Sequence, residues 1–116
     1  MSFRESSVPL QDILDSISMI EEFTAGMDLD RFRQDMKTVA AVERKLQLIS
    51  EAAIRLGDDA ELICPGQPWR NIRGMGNWLR HQYDRIDVET IWFTIQDHLP
   101  SLKTAVTQAL HRKAAD

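Results

Sequence analysis

From Phe32 to Leu56 the apolar residues return every third or fourth position: Phe32, Val39, Val42, Leu46, Ile49, Ala53 and Leu56. A seam of that period lies along one side of an α-helix, and a strand cannot present it on one face. It runs for more than two heptads, as in a long bundle helix, with Asp35 on the seam marking a bend and Gly57 ending it. Upstream, Leu10, Ile13, Leu14, Ile17, Ile20 and Phe23 form a second stripe. That helix is expected to start with Ser7 as N-cap, take Pro9 in its first turn and stop before Gly26. Asp28 can cap the segment that follows it.

The second half continues the pattern. Residues 58–67 carry Gly57-Asp58-Asp59 and Cys64-Pro65-Gly66-Gln67-Pro68 around them and read as a loop. Pro68 suits the first turn of a further helix running to about Gln82, which Gly74 and Gly76 weaken by roughly 1 kcal/mol each. Glycines inside a helix usually admit another helix at close range. Asp87 caps a last segment bearing Ile91, Trp92, Ile95 and Leu99, which Pro100 kinks or restarts, and Leu102, Ala105, Val106 and Ala109 extend the stripe to about Leu110. Trp92 and Phe93 are expected in the core, and residues 111–116 are expected to fray. No segment alternates as a half-buried strand does. The reading is all-α: an antiparallel bundle of four to five helices without a sheet, one domain over residues 1–116 with its core within about 8–110.

A chain of 116 residues supports one modest core. The single cysteine, Cys64, excludes an internal disulfide and a cysteine-rich zinc site. No apolar run is long enough to span a bilayer, and the first residues lack a signal peptide's hydrophobic stretch, so a cytoplasmic protein without membrane contact is expected.

Net charge is −4, but unevenly distributed. Residues 1–27 carry −4 and residues 56–69 carry −3, whereas residues 70–85 carry +3 from Arg70, Arg73, Arg80 and Arg85 against Asp84. The stretch 68–87 also holds His81, the only tyrosine (Tyr83) and two of the three tryptophans. Its arginines have no interleaved acid until Asp84. On a helix Arg73, Asn77 and His81 are spaced by four and Arg80 lies seven after Arg73, so these share a face, which Trp69 extends. Guanidiniums hold phosphate oxygens in a fork and an imidazole moves protons near pH 7, which suits chemistry on a phosphodiester. The bland alternative is a solvated polar face. A local positive site on an acidic body suits a small or transient RNA contact better than a grip on duplex DNA. His98, near a helix end, and His111, in the tail, look less purposeful, and the histidines have no metal-site spacing. No cofactor or metal is expected.

The run Gln67-Pro68-Trp69-Arg70-Asn71-Ile72-Arg73-Gly74-Met75-Gly76-Asn77, followed by His81-Gln82-Tyr83 and Ile86-Asp87, resembles the signature helix of HepT-like proteins in the HEPN superfamily. The helix order, Ser50-Glu51-Ala52-Ala53 and Leu99-Pro100 also match, so the resemblance covers about Val8 to Leu110. It implies a homodimeric helical bundle, an RNase toxin, and a nucleotidyltransferase antitoxin partner that can transfer AMP to a tyrosine. The family motif is an arginine, four to six residues, a histidine, any residue and a tyrosine. His81 and Tyr83 match it. Gly76, Met75 and Gly74 stand where the arginine belongs, Arg73 is one residue beyond, and Arg80 adjoins the histidine.

On this reading His81 does acid/base work, Arg80 or Arg73 holds phosphate, Asn77 and Tyr83 orient, and Tyr83 is the candidate for AMPylation. The expected activity is a metal-independent endoribonuclease using the RNA 2′-hydroxyl at a dimer interface. The alternative is a catalytically impaired HEPN module that docks on, and is modified by, the antitoxin.

Overall fold

The computed structural model describes residues 3–81 and 87–115. Among them every regular element is helical: α1 (Phe3–Thr24), α2 (Leu29–Gln34), α3 (Met36–Leu56), α4 (Asp59–Ile63), α5 (Trp69–His81), α6 (Val88–Asp97) and α7 (Leu99–Ala115). Five are long and two are single-turn connectors, which gives the all-α bundle expected from the periodicity. α1 packs on α3 and α7, and α5 packs on the other flank of α3. The two apolar stripes meet there: Leu10, Ile13, Ile17 and Ile20 of α1 and Val39, Val42, Leu46 and Ile49 of α3 are all essentially inaccessible to water.

Local chemistry sets most boundaries. The Asp28 side chain accepts from the Arg31 N–H at the start of α2. Asp35 makes the expected bend a full break, since it ends α2 and its carboxylate accepts the Thr38 N–H that opens α3. Asp87 caps α6 through the Glu89 and Thr90 N–H groups and the Thr90 hydroxyl. Gly26 and Gly57, both at positive φ, end α1 and α3.

Four boundaries or placements differ from the sequence reading. α1 begins at Phe3 and runs through Ser7 and Pro9, so Ser7 is not the N-cap. Pro9 removes only one N–H near the start of a 22-residue helix. Residues 59–63, read as loop, form α4, whose Ala60 is buried in the core. α7 stays helical through Ala115, where Arg112 donates to the Ile63 carbonyl of α4 at 3.2 Å. Phe93 is 48 % exposed, because α6 turns the neighbouring Trp92 inward against Phe32 with ring centroids 5.2 Å apart.

One contact fixes α5 on α3. The buried Ser50 hydroxyl donates to the Arg73 carbonyl at 2.9 Å and accepts the Gly76 N–H at 3.0 Å. Gly76 is buried there, so the close helix approach expected of a glycine is made within the chain. The other end of α5 is pinned by Trp69, 1 % exposed, whose indole N–H donates to the Cys64 carbonyl at 2.7 Å. Trp69 is therefore core and does not extend a polar face of α5. Burial pushes the Cys64 thiol up, so it packs as a small apolar group.

Ser50→Ala should remove both hydrogen bonds between α3 and the α5 backbone and cost about 0.5–1.5 kcal/mol in chemical denaturation. Hydrogen bonds to the capping carboxylates hold Asp35 and Asp87 below the usual range, led at Asp35 by the Thr38 N–H and at Asp87 by the Thr90 hydroxyl. A depressed folded-state value means stability present above the unfolded value, about 3.9, and lost as pH falls through the folded one. Thermal melts should therefore show Tm dropping below about pH 4. The drop should be shallower in Asp35→Asn/Asp87→Asn, which keeps a capping oxygen but removes the titration.

Candidate functional site

α5 presents three kinds of surface. Trp69, Gly76 and Leu79 turn into the core. Arg73 lies on the border, its side chain 25 % exposed, with Nη1 2.8 Å from a Glu61 carboxylate oxygen and 3.2 Å from the Gly57 carbonyl oxygen. Arg70, Asn71, Gly74, Asn77 and Trp78 face outward.

The arginines of this segment are thus not all free of acids. The sequence shows no acid beside Arg73 along its own helix, but α4 brings Glu61 to it across the Gly57 turn. Arg73 bridges α5 to the α3–α4 corner through Nη1, which draws it from the open face it was expected to share with Asn77 toward the α4 side. Arg70 makes no ion pair with any described residue.

Arg80 and His81 are the last two helical positions of α5: the backbone places His81, four after Asn77, on the continuation of the Asn77 face, and Arg80, four after Gly76, on the side toward α3. Their side chains, and Tyr83 altogether, lie outside the described residues. The position where the family motif would carry its arginine at the four-residue spacing is Gly76, and it is closed by Ser50 of α3. Gly74 is open: a Cβ built there would meet nothing within 4 Å. Of the two glycines, one serves the intramolecular packing and the other leaves a smooth patch on the outside of α5.

α3 and α5 run antiparallel, since Gly57 and Glu61 lie by Arg73 while Ser50 reaches on to Gly76. Two turns before Ser50 on the same side of α3 stands Glu43, half-buried, where burial pushes its carboxyl up. By register it is level with the end of α5. Glu51, beside Ser50, is exposed and 3.8 Å from Arg44, a solvated pair of little energetic weight.

Sequence reasoning missed a groove between α5 and α6. It holds about 510 Å³ and is lined on one side by Arg70, Asn71, Gly74 and Trp78 and on the other by Thr90, Thr94 and His98, over a floor that includes Leu46 and Ile91. His98 is the C-cap of α6, as its place near a helix end suggested, and also belongs to this groove. The signal was split over 29 positions of sequence and becomes visible only when α6 folds back beside α5.

Comparison with known proteins gives a consistent result. Residues 13–109 match the family described as Ribonuclease HepT-like. The "Probable ribonuclease HepT" of Thermococcus cleftensis is 39 % identical over 94 residues, which cover 81 % of this chain and 86 % of that protein. Two Methanocaldococcus jannaschii proteins whose names mark them provisionally as RNases are 33 % identical over 106 residues and 36 % over 92 residues. The first match covers 91 % of this chain and 97 % of the relative, and the second 79 % and 76 %. No solved structure matches the chain. No described helix is long and apolar enough to cross a membrane. With the matched region spanning α1 to α7 and the arginine–histidine segment inside it, the chain belongs to the HepT-like ribonuclease family.

Proposed function

We propose that this protein is the toxin of a toxin–antitoxin pair, a cytoplasmic endoribonuclease that cuts RNA without a metal ion. The observation that carries the reading is the outer face of α5, which bears Asn77, ends at the His81 position with Arg80 next to it in the chain, and holds no acid. RNA supplies its own nucleophile, the 2′-hydroxyl. The enzyme must take that proton, give one to the leaving 5′-oxygen, and hold the charge that builds on the phosphorus oxygens. His81 is the acid/base group of the segment. Arg80 takes the phosphate role, supported by the engagement of Arg73 with Glu61 and Gly57. Asn77 and Tyr83 orient the reacting groups.

One protomer supplies one histidine to a reaction that uses an acid and a base. A two-fold pairing of α5 helices supplies both and doubles the arginines. That need for a second acid/base group is what supports a homodimer. The antitoxin partner is a nucleotidyltransferase that transfers AMP to Tyr83. That places phosphate charge two residues from His81 and repels an incoming RNA backbone.

A second reading is favoured by Gly76. With α3 closed over the motif-arginine position, the chain keeps the dimer and the antitoxin surface as a binding module with impaired cleavage.

Purified dimer should cleave RNA in chelator, spare DNA and leave a 2′,3′-cyclic phosphate. His81→Ala should slow cleavage by about a hundredfold or more, and Arg80→Ala should lower kcat more than Arg70→Ala does. Magnesium dependence, or full activity in His81→Ala, refutes the mechanism; a folded dimer that binds but never cleaves RNA establishes the second reading. Co-expression with a neighbouring nucleotidyltransferase should add one AMP mass, and Tyr83→Phe should abolish the addition. Persistence of the adduct in Tyr83→Phe would move the modification to another residue.

A further inference from the structure

We infer that the groove between α5 and α6 is a nucleotide subsite, which takes one unpaired base of the RNA beside the scissile phosphate by stacking it on Trp78. The inference rests on the RNase reading above and names how that substrate is held.

Four observations carry it. The first is the tryptophan. Trp69 and Trp92 are 1 % and 8 % exposed, whereas Trp78 is 37 % exposed and forms part of the groove wall. An open aromatic face above a recess is the platform on which proteins stack unpaired bases, and stacking is tolerant of base identity. The second is charge. The chain has 18 acidic against 14 basic residues, yet no carboxylate of a described residue lines this groove, and Arg70 lines it without an ion pair to a described residue. The acids at the start of α6 are turned elsewhere: Asp87 caps the helix, and Glu89 lies 3.6 Å from Arg33 of α2. Asp97 belongs to a smaller adjoining hollow of about 210 Å³, beyond His98.

The third is the mixture of groups. Asn71 carries both a donor and an acceptor for a base edge. Thr90 and Thr94, both lining the groove, spend their hydroxyl protons on Asp87 and the Thr90 carbonyl, which leaves their oxygens acceptor capacity only. His98 closes the far end. An apolar segment of a second protein copy would leave Arg70, Asn71 and His98 desolvated without partners, whereas a base and its phosphate satisfy them. The volume, about 510 Å³, falls in the range of small-ligand sites.

The fourth is position. Trp78 lies three residues before His81 on one helix, roughly 4.5 Å along its axis. A base stacked on Trp78 therefore brings its own backbone to the end of α5. Arg70, two turns back, meets a phosphate further along the strand. Trp78 and Arg70 bind substrate, and neither takes part in proton transfer.

The test uses the full-length dimer and a 2′-O-methyl hexanucleotide, which cannot be cut through the blocked hydroxyl. Binding should quench tryptophan fluorescence, and Trp78→Phe should remove the quench, because the other two tryptophans are buried. Thr94→Glu places an acid in the groove on an exposed turn of α6 and should weaken binding by about tenfold or more. It should also raise KM for a cleavable RNA with little change in kcat, and sedimentation should still show a dimer. A quench that survives Trp78→Phe, or wild-type affinity in Thr94→Glu, overturns the subsite. Dissociation of the Thr94→Glu dimer would overturn it too, by showing that a second copy occupies the groove. Cleavage by the wild type without any quench overturns the subsite while leaving the RNase reading intact. A folded wild type that neither binds nor cleaves RNA overturns both.

Discussion

The position of everything functional in this protein depends on one hydroxyl. Ser50 joins the seam helix α3 to α5 through two hydrogen bonds to backbone, one given to the Arg73 carbonyl and one taken from the Gly76 N–H. The N–H it takes belongs to a buried glycine on the side of α5 that faces α3. Serine is also small enough to be enclosed at 1 % exposure without leaving a polar atom unsatisfied. Trp69 fixes the other end of α5, so its rotation about its own axis is settled. The outward residues Arg70, Gly74, Asn77 and Trp78 follow from that rotation as a set.

That dependence explains what could be read from the chain in advance. The stripes of α1 and α3 are legible because each residue reports its burial by spacing alone, and the caps at Asp28 and Asp87 are legible because a cap is a contact over three residues. Contacts that reach further are not. α4 carries too few residues for a period, and its reason to be helical is Ala60, which enters a core assembled by other elements. Phe93 and Trp92 are equally apolar neighbours. Trp92 falls in phase with Ile91, Ile95 and Leu99 and meets Phe32, 60 positions away, while Phe93 falls outside that phase.

The same limit shaped the reading of the site. Arg73, Asn77 and His81 do share a helical spacing, and a helix was correctly placed under them. Yet the inventory of charges along α5 could not include Glu61, which reaches Arg73 only because Gly57 turns the chain at positive φ and α4 comes back alongside. An arginine that looked unpaired in sequence is a strut between helices. The groove was hidden for the complementary reason. Its walls are two separate, ordinary polar faces, and neither α5 nor α6 alone encloses anything.

The arrangement divides labour along a single helix. The inner side of α5 is committed to stability through Trp69, Gly76 and Leu79, the border to a bridge through Arg73, and the outer side stays open to solvent. This division bears on the missing motif arginine. Position 76 is buried with its N–H on Ser50, so restoring an arginine there sets a long cationic side chain into the boundary where α5 is seated on α3. Gly76→Arg should therefore lower stability. If the substitution nonetheless raised the rate of RNA cleavage, the position would be shown to retain a path to the phosphate. If the rate stayed unchanged or fell, the cation would have to come from Arg80, one turn further along the helix. The competition between seating α5 and charging it is a physical reason for a chain of this family to carry its arginines to either side of position 76 and leave the position itself bare.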